Sequence, residues 1–222
     1  MRLITPKAEI MNYTPDMEKT IEEAIRTCYK SEDKICEGSA DKIIRNIMDR
    51  HHESTIEHAL ITVRFTCDRG VSHEGVRHRL SSFSQESTRY CGYDKGKFGN
   101  EITVIDIRGG FPNMGARFEV WLEAMEAAEG YYLKLKEMGA TSEEARSVLP
   151  NSLKTELVWS ANPRSWRHAF QMRVDNSAHP QIAEVMVPLL EEFSGIWPVL
   201  FSDIVVGSKH RRFLTNQELH KA

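Results

Sequence analysis

The most informative stretch of this sequence runs from Arg77 to Tyr90 and reads RHRLSSFSQESTRY. Three arginines, one histidine, one glutamine and four serines fall within it, and only Leu80 and Phe83 are large apolar residues. The segment is therefore too polar to be core. Arginines offer planar, permanently charged donor forks that suit phosphate oxygens, while hydroxyl and amide groups can orient a bound ring. We infer a small anionic ligand, although a solvated helix face is the common role of such a basic run.

Length and composition limit the class of protein. A chain of 222 residues is long enough for one well-packed core, so we expect a single domain over residues 1–222. No apolar run approaches the roughly 18 residues of a membrane span, and the first residues lack the apolar segment of a signal peptide. We therefore expect a cytoplasmic protein without membrane contact. A net charge of −3 argues against binding of long nucleic acids, which normally requires a basic excess.

Around the central stretch, the hydrophobic pattern predicts an α+β fold, with a central, mostly antiparallel sheet flanked by helices. Alternation of apolar and polar residues predicts strands over residues 2–12, 58–68, 102–107 and 157–161. Helical spacing and start signals predict helices that begin at Thr14, Ser39, Thr141, Ser165 and Pro180.

Two further helices complete the prediction. The longest has an apolar stripe from Phe118 to Leu135 and ends at Gly139. Another opens near Gly70 and carries the chain through Arg77 to Ser82. In that helix Val71, Val76 and Leu80 would face inward, while Arg77 and Arg79 would diverge.

A second polar cluster, from His51 to His58, reads HHESTIEH. Two metalloprotease patterns fail there, because one would need histidine in place of Ile56 and the other in place of Ser54. His52 and His58 are six residues apart and would point to different sides of a helix. We predict no metal site in this cluster.

Two later regions also carry arginines. Arg146 has small and apolar neighbours in the sequence, where an unpaired cation would be costly, so we expect it to have a carboxylate or phosphate partner. An ordinary salt bridge would satisfy that expectation as well as a ligand would. The segment from Asn162 to Arg173 is the second dense basic region.

The spacing of these residues is similar to a known family. Arg77-His78-Arg79, seven intervening residues, Ser87 and then Arg89-Tyr90 resemble the signature motif of the flavin-dependent thymidylate synthases. The stretch from His52 to His58 matches the family's His-x-(Ser/Thr)-x-x-Glu-His pattern. The resemblance runs from about residue 20 to about residue 190. It implies an enzyme that methylates dUMP to dTMP, with methylenetetrahydrofolate as the one-carbon donor and NADPH-reduced FAD as the hydride source.

The resemblance also assigns roles to residues. It implies that FAD is bound by His52, Ser54, Glu57, Arg77, His78, Arg79, Asn162, Arg164 and His168. It implies that dUMP is bound by Glu74, Gln85, Ser87, Arg89, Arg146 and Arg173. Many relatives have Arg-Gln where this chain has His73-Glu74.

Two of these residues are candidates for catalysis. Arg173 would stabilise charge on the pyrimidine carbonyl as C5 becomes nucleophilic. Ser87 is a conceivable nucleophile, but a hydroxyl needs a neighbouring base and the sequence places none beside it, so a binding role is favoured.

The resemblance implies partners as well: dUMP, folate, NADPH and further copies of this chain in a homotetramer with shared active sites. The sequence has no Gly-x-Gly-x-x-Gly turn, so we expect side chains from several segments, and no Rossmann loop, to hold the flavin.

Two other functions remain open from the residues alone. A metal-dependent nucleotide phosphohydrolase would use His51, His52, Glu53 and Glu57 as ligands. An RNA-binding module would use the stretch from Arg77 to Tyr90, with Phe83 and Tyr90 for base stacking. Each explains one polar segment and leaves the others without a role.

Overall fold

Six strands form two sheets in the part of the chain that the structure describes. The computed structural model describes residues 1–94, 96 and 99–215. The strands are β1 (Arg2–Ile4), β2 (Lys7–Tyr13), β3 (Ile61–Asp68), β4 (Ser81–Gln85), β5 (Thr103–Ile105) and β6 (Lys154–Ala161). An antiparallel sheet has the order β2-β3-β6-β4, and β1 pairs in parallel with β5, Arg2 lying opposite Thr103. The predicted α+β class, with a mostly antiparallel sheet flanked by helices, is confirmed.

Eight helices are present in the described residues. They are α1 (Met17–Tyr29), α2 (Ser39–Asp49), α3 (Arg69–Gly75), α4 (Ala116–Glu137), α5 (Ser142–Ala145), α6 (Pro163–Arg173), α7 (Pro180–Ile196) and α8 (Pro198–Phe201). Short 3-10 turns cover Glu32–Lys34, Glu53–His58, Arg146–Val148 and Arg211–Phe213.

The chain divides into two compact units. The first contains Met1–Lys7, Phe65–Arg77 and Ser84–Val158. The second contains Ala8–Arg64, His78–Phe83 and the chain from Trp159 onward. Strands β3, β4 and β6 each contribute residues to both units. The single domain expected over residues 1–222 stays a prediction.

The core of the first unit lies against α4, which is the longest helix with 22 residues. Its fully or largely buried members are Tyr93, Ile102, Val104, Met125, Tyr132, Ala145 and Leu153. The predicted apolar stripe of α4 faces this core, because Met125 and Tyr132 are buried and Trp121 and Leu135 pack on them. Within the described ranges, no helix combines the length and apolarity needed to cross a membrane.

The core of the second unit is aromatic. Trp159 stacks on Trp166 with ring centroids 4.6 Å apart, and Phe193 makes edge contacts with Trp166 and Phe170. The predicted inner face of the last long helix, α7, is confirmed as buried: Ile182, Val185, Met186, Leu189, Leu190 and Phe193. Since aromatic side chains bury large apolar areas, this cluster dominates the packing of the unit.

The first predicted strand is wrong as a single element. Residues 2–12 form two strands, β1 and β2, which belong to different sheets. Pro6 lies between them. Proline has no N–H to donate to a ladder, so it separates the two strands.

One predicted helix start is displaced, and another has a different capping residue. Helix α1 begins after Asp16, which has a left-handed φ of 47°, and not at Thr14. Helix α2 begins at Ser39 as predicted, but its N-cap residue is Gly38, with a φ of 72°. Ser39, the expected cap, donates from Oγ to the buried carboxylate of Glu22 at 2.7 Å. Tertiary hydrogen bonding therefore competes with capping at this serine.

Two other helix starts use the side chains that capping rules favour. Thr141 and Glu144 form a reciprocal capping box at α5, as predicted. Helix α6 begins at Pro163, two residues before the predicted start at Ser165. Its cap is Asn162, whose Oδ1 accepts a hydrogen bond from the Ser165 amide at 2.8 Å.

The central stretch is a turn followed by a strand, and the helix predicted through Ser82 is wrong. Helix α3 ends at Gly75, and β4 begins at Ser81. Between them Leu80 has a φ of 64° and is 87% exposed, although it was expected to face inward. A left-handed leucine is uncommon because its Cβ crowds the backbone. A turn therefore stands where helical periodicity predicts continuation of the helix.

Candidate active site

The predicted site residues divide between the two units according to their expected role. The predicted substrate-binding residues in the first unit are Glu74, Gln85, Ser87, Arg89 and Arg146. The predicted cofactor-binding residues in the second unit are His52, Ser54, Glu57, His78, Arg79, Asn162, Arg164 and His168. Arg77 and Arg173 are the exceptions, since Arg77 lies in the first unit and Arg173 in the second.

In the first unit, Gln85 lies at the end of β4 and is held by two hydroxyl groups. Its Nε2 donates to Ser72 Oγ at 2.8 Å and to Thr155 Oγ1 at 3.3 Å. Ser72 and Thr155 are both buried. The amide of Gln85 therefore has a fixed position before any ligand arrives.

The residue after Gln85 is also fixed. Glu86 accepts a hydrogen bond from Lys154 Nζ at 2.8 Å and one from the Tyr93 hydroxyl at 3.3 Å. Burial lowers the pKa of Lys154, but hydrogen bonds with Glu86 and Glu156 outweigh burial, so the net pKa lies above the ordinary value. Burial and then the charge of Glu86 raise the pKa of the Tyr93 phenol. Lys154 thus stays charged and anchors the segment that carries Gln85 and Ser87.

Ser87 and Arg89 follow on an exposed turn. Ser87 Oγ accepts from the Arg89 amide at 3.3 Å. Arg89 Nε donates to Glu143 Oε1 at 2.6 Å, and both side chains of this pair are about half exposed. Surface ion pairs of this kind contribute about 0–1 kcal/mol. An incoming phosphate could therefore replace Glu143 at little cost.

Arg146 differs from the sequence prediction. It was expected among apolar neighbours with a charged partner, but it lies exposed in the 3-10 turn Arg146–Val148. Within the described part of the chain it has no ion-pair partner. Its guanidinium group is therefore available to an anionic ligand.

Two more predicted site residues lie in or just after α3. Glu74 is half-buried in α3, and Arg77 is exposed two residues beyond the end of that helix.

In the second unit, His78 is buried and forms a bridge between aromatic residues and Arg173. Its ring stacks on Trp159 at 5.3 Å, and the edge of His168 lies at 5.8 Å. Its Nε2 accepts a hydrogen bond from Arg173 Nε at 2.9 Å. Because arginine only donates, the proton of the neutral His78 ring must lie on Nδ1. Burial, followed by the charges of Arg173 and His168, lowers the pKa of His78 to about 4.

This lowered pKa predicts a pH dependence of stability. The unfolded chain takes up a proton on His78 below about pH 6.5, whereas the folded chain does so only near pH 4. The free energy of unfolding should therefore rise with pH across this window, by at most about 1.4 kcal/mol per pH unit for one proton. We expect His78→Gln to flatten the slope in urea unfolding at pH 4, 5 and 6.5. The exposed His73→Gln is the matched control and should keep the slope; equal slopes in all three proteins would contradict this assignment.

The other cofactor-binding candidates lie near an ion pair. Arg164 Nη1 donates to Glu57 Oε1 at 2.6 Å, and Arg164 Nε lies 3.7 Å from Glu53 Oε2. The hydrogen bond with Glu57 raises the pKa of Arg164. Arg164 is half exposed, so one side of its guanidinium group can meet a ligand.

Two cavities of the second unit are lined in part by predicted cofactor-binding residues. One of about 330 Å³ is lined by His52, Ser54, Thr55 and Arg164 among others. The other, of about 470 Å³, is lined by Glu57, Leu80, Ser81, Ser160 and Asn162 among others. The hydroxyl groups of Thr55 and Ser81 are buried without a hydrogen-bond partner in the described chain. Since buried polar groups are normally satisfied, both hydroxyls point to a bound polar molecule.

Three predicted residues have restricted or peripheral positions. The Oδ1 of Asn162 accepts the hydrogen bond that caps α6, which restricts the orientation that its amide can offer to a cofactor. Arg79 is exposed beside Leu80 in the turn before β4. His168 is exposed, and the edge of its ring contacts the ring of His78, another predicted site residue.

The two alternative functions lack a supporting geometry. Among the residues that the structure describes, no three His, Cys, Asp or Glu side chains come together as a metal site would require. Phe83, which an RNA-binding module would need on its surface, packs against Trp159 with ring centroids 5.3 Å apart.

Sequence reasoning missed the residues that hold the site in place. Ser72, Glu86, Lys154 and Thr155 carry no motif of their own, and the predicted strand began only at Leu157. Extending the alternation of β6 back to Thr155 would have placed Thr155, Leu157 and Trp159 on one face. This alternation is visible in the sequence, whereas the hydrogen-bond partners of Ser72 and Glu86 cannot be read from it.

The chain matches a protein-family model over residues 9–199, described as thymidylate synthase complementing protein. Three similar relatives are named flavin-dependent thymidylate synthase. That of Geobacter sulfurreducens is 31% identical over 208 residues, which cover 90% of this chain and 88% of the relative. Those of Pyrococcus furiosus and Mycolicibacterium gilvum are 30% and 32% identical, cover 85% and 84% of this chain, and each match 79% of the relative.

Solved structures show the same fold. A UMP/dUMP methylase, PolB, from Streptomyces cacaoi bound with 5-Br dUMP superposes with a TM-score of 0.76 at 24% identity, covering 90% of this chain and 95% of that one. The same protein bound with 5-Br UMP gives a TM-score of 0.73 at 23% identity.

Proposed function

Because the chain belongs to the flavin-dependent thymidylate synthase family and is an enzyme of that family, we propose that it converts dUMP to dTMP by reductive methylation. Methylenetetrahydrofolate would be the one-carbon donor and NADPH-reduced FAD the hydride source. The observation that carries the proposal is the family match over residues 9–199, which includes every predicted site residue.

The first unit supports binding of a nucleotide monophosphate. Arg146 is exposed without an ion-pair partner in the described chain, and the ion-pair partner of Arg89 is a solvated carboxylate. Hydrogen bonds between charged groups contribute about 1.5–3 kcal/mol each. Two such contacts to a phosphate, with Ser87 and Gln85 on the sugar or ring, supply a large part of the roughly 8 kcal/mol that micromolar affinity requires. Glu74 is proposed as a further contact of the uracil ring.

Arg173 is proposed as the group that stabilises charge on the pyrimidine carbonyl. The neutral ring of His78 holds its Nε at 2.9 Å, so the cation is oriented before the reaction and needs little rearrangement. Ser87 is proposed to bind and not to attack. Among the described residues its hydroxyl group has a hydrogen bond with the Arg89 amide and with no base that could activate it.

The second unit offers a donor set that fits FAD. A pyrophosphate requires cations and N–H donors, and the half-exposed Arg164 and exposed Arg79 supply them. The buried hydroxyls of Thr55 and Ser81, which have no partner in the described chain, suit a polyhydroxy chain or a ring edge. Residues proposed to hold FAD are His52, Ser54, Glu57, Arg77, His78, Arg79, Asn162, Arg164 and His168. When bound, FAD would supply the hydride to the pyrimidine.

The proposal extends to assembly and location. The two cavities of about 330 and 470 Å³ come from one copy of the chain. We propose that further copies complete the flavin site in a homotetramer with shared active sites. We also propose a cytoplasmic enzyme that acts as one domain, because a single family model includes residues of both units.

A visible absorption spectrum tests the proposed function. Purified protein incubated with FAD and freed of excess cofactor should keep the flavin bands, and dUMP should shift them. Production of dTMP should then require both methylenetetrahydrofolate and NADPH. We expect Arg164→Gln to retain less FAD than the wild type, whereas Arg45→Gln, an exposed residue of α2, should retain the wild-type amount. A folded protein that binds no flavin would rule out the proposal.

A further inference from the structure

We propose that residues 198–210, called the arm below, position Arg173 by fixing the end of α6, with Gly207 and Asn176 as positioning residues. The inference deepens the proposed function and rests on it, because Arg173 is the cation assigned to the pyrimidine carbonyl. Gly207 and Asn176 would act on the reaction only through Arg173. All of these residues lie in the second unit.

The arm contacts α6 at two points, and the first is Arg167, a buried arginine in the middle of the helix. Nη1 of Arg167 donates to the Leu200 carbonyl and, at 2.6 Å, to Asp203 Oδ1, while Nη2 donates to Asp203 Oδ2 at 2.7 Å. Hydrogen bonding to Arg167 holds the pKa of Asp203 below its ordinary value. Two parallel bonds to one ionised carboxylate fix the geometry of the pair. The arm is therefore tied to the middle of α6.

The second contact lies directly after Arg173. The end of a helix leaves carbonyl groups that have no partner inside the helix. The carbonyl of Val174, the buried C-cap residue of α6, accepts a hydrogen bond from the Gly207 amide at 2.8 Å. Oδ1 of Asn176 accepts one from the Lys209 amide at 3.0 Å. Two backbone amides of the arm thus hold the segment that follows Arg173.

Glycine is required at position 207 because the two segments approach closely. A Cβ atom there would lie 2.5 Å from the backbone nitrogen of Asn176 and 2.8 Å from its Oδ1. Both distances are well inside van der Waals contact, and a backbone nitrogen cannot rotate away as the end of a flexible side chain can. A larger residue at position 207 must therefore push the arm away from the end of α6.

Two anchor points fix more of a helix than one does. From Arg167 to Arg173 the helix rises about 9 Å, which is between one and two turns. Contacts at both ends of this stretch set the position and the rotation of α6 at the point where Arg173 leaves it. The side chain of Arg173 is restrained in turn by its hydrogen bond to His78 at 2.9 Å. The arm holds the backbone, and His78 holds the guanidinium group.

Displacement of Arg173 should slow the reaction more than it weakens binding. A shift of about 1 Å in a catalytic group can cost about 100-fold in rate. For Gly207→Ala we expect the single-turnover rate of dTMP formation to fall about 10- to 100-fold. The dissociation constant of dUMP should rise by no more than about threefold, because the proposed phosphate contacts of Arg89 and Arg146 do not depend on the arm.

The tautomer of His78 gives a readout that needs no activity. Arg173 donates to Nε2, which keeps the proton of the neutral ring on Nδ1. The ring ¹⁵N chemical shifts at neutral pH should show this tautomer in the wild type, and the loss of the signal in His78→Gln identifies it. In Gly207→Ala the donor is displaced, so a form protonated on Nε2 should appear. A loss of stability alone would leave the tautomer unchanged.

Asn176 provides a milder variant with a conservative rescue. Its side chain is exposed, so Asn176→Ala should fold while it loses the acceptor for the Lys209 amide. We expect its single-turnover rate to fall about 3- to 10-fold, with the same change of the His78 tautomer. Asn176→Asp keeps an oxygen acceptor and should restore the rate to within about twofold of the wild type.

Gly195→Ala is the matched control for Gly207→Ala. Gly195 is an exposed glycine of α7, and a Cβ atom at this position meets no neighbouring atom within 4 Å. This variant should keep both the wild-type rate and the wild-type tautomer of His78. Changes as large as those of Gly207→Ala would show that any added methyl group in this part of the unit disturbs the site, and would overturn the inference.

The outcomes separate this inference from the proposed function. An unchanged rate or an unchanged tautomer in both Gly207→Ala and Asn176→Ala would overturn the inference alone. If Gly207→Ala does not fold, Asn176→Ala decides, and a loss that Asn176→Asp fails to rescue also counts against the arm. A wild type that binds FAD but forms no dTMP would overturn the proposed function itself.

Discussion

Replacing Phe193 by alanine is expected to lower the free energy of unfolding by about 3–5 kcal/mol. Phe193 is fully buried in α7. Its ring lies 5.1–5.5 Å, centroid to centroid and near perpendicular, from those of Trp166, Phe170, Trp197 and Phe201. Alanine would lose the transfer free energy of the ring and all four edge contacts, each worth about 0.5–1.5 kcal/mol beyond area burial. The surrounding rings are large and rigid, so the cavity would close only in part.

Urea unfolding at one protein concentration measures this loss. A fixed concentration is needed because assembly of the proposed homotetramer would add to apparent stability. Tyr131→Ala is the matched control, since Tyr131 is also an aromatic residue of a long helix but is 64% exposed. We expect that control to change stability by no more than about 0.5 kcal/mol. Similar losses for the two variants would show that the aromatic cluster is not the main core of the second unit.

Elements with a long and clean period could be predicted from the sequence. The inner faces of α4 and α7 follow from apolar residues spaced three and four apart, and the structure buries those faces. The strand over residues 58–68 was found from alternation and appears as β3 (Ile61–Asp68). In these elements local pattern and tertiary burial point to the same answer.

Elements whose boundaries depend on one unusual residue could not be predicted in the same way. Leu80 adopts a left-handed conformation that leucine rarely shows. A leucine at this position therefore does not indicate a turn. Helix α3 ends at Gly75, whereas the apolar spacing of Val76 and Leu80 predicts that the helix continues. Pro6 similarly divides β1 from β2, although the alternation continues across it.

The candidate site shows the same limit. Motif spacing predicts which side chains form the site, but it does not show which hydrogen bonds those side chains already make. Gln85 meets Thr155 across 70 residues of sequence, and Arg89 meets Glu143 across 54. Such contacts arise only when the sheet and helices are in place. The cap formed by Asn162 is local and could have been recognised from its position before Pro163.

Replacing Arg146 by alanine is expected to weaken dUMP binding by about 10- to 150-fold while FAD stays bound. The range corresponds to the loss of about 1.5–3 kcal/mol for one hydrogen-bonded contact between charged groups. Arg146 is exposed and forms no ion pair within the described chain, so its removal leaves no buried carboxylate behind. We therefore expect thermal stability to change little, which separates the binding effect from misfolding.

Calorimetry with dUMP on the FAD-loaded variant, together with the ratio of flavin to protein absorbance, measures both parts of this expectation. Arg45→Ala, an exposed arginine of the second unit, should change neither value. Arg146→Lys keeps the charge but loses the planar donor fork, so it should bind dUMP with intermediate affinity. If Arg146→Ala weakens the binding of FAD and of dUMP equally, Arg146 has a structural role on which both ligands depend. Unchanged dUMP affinity would remove Arg146 from the phosphate site and leave Arg89, released from Glu143, as its principal cation.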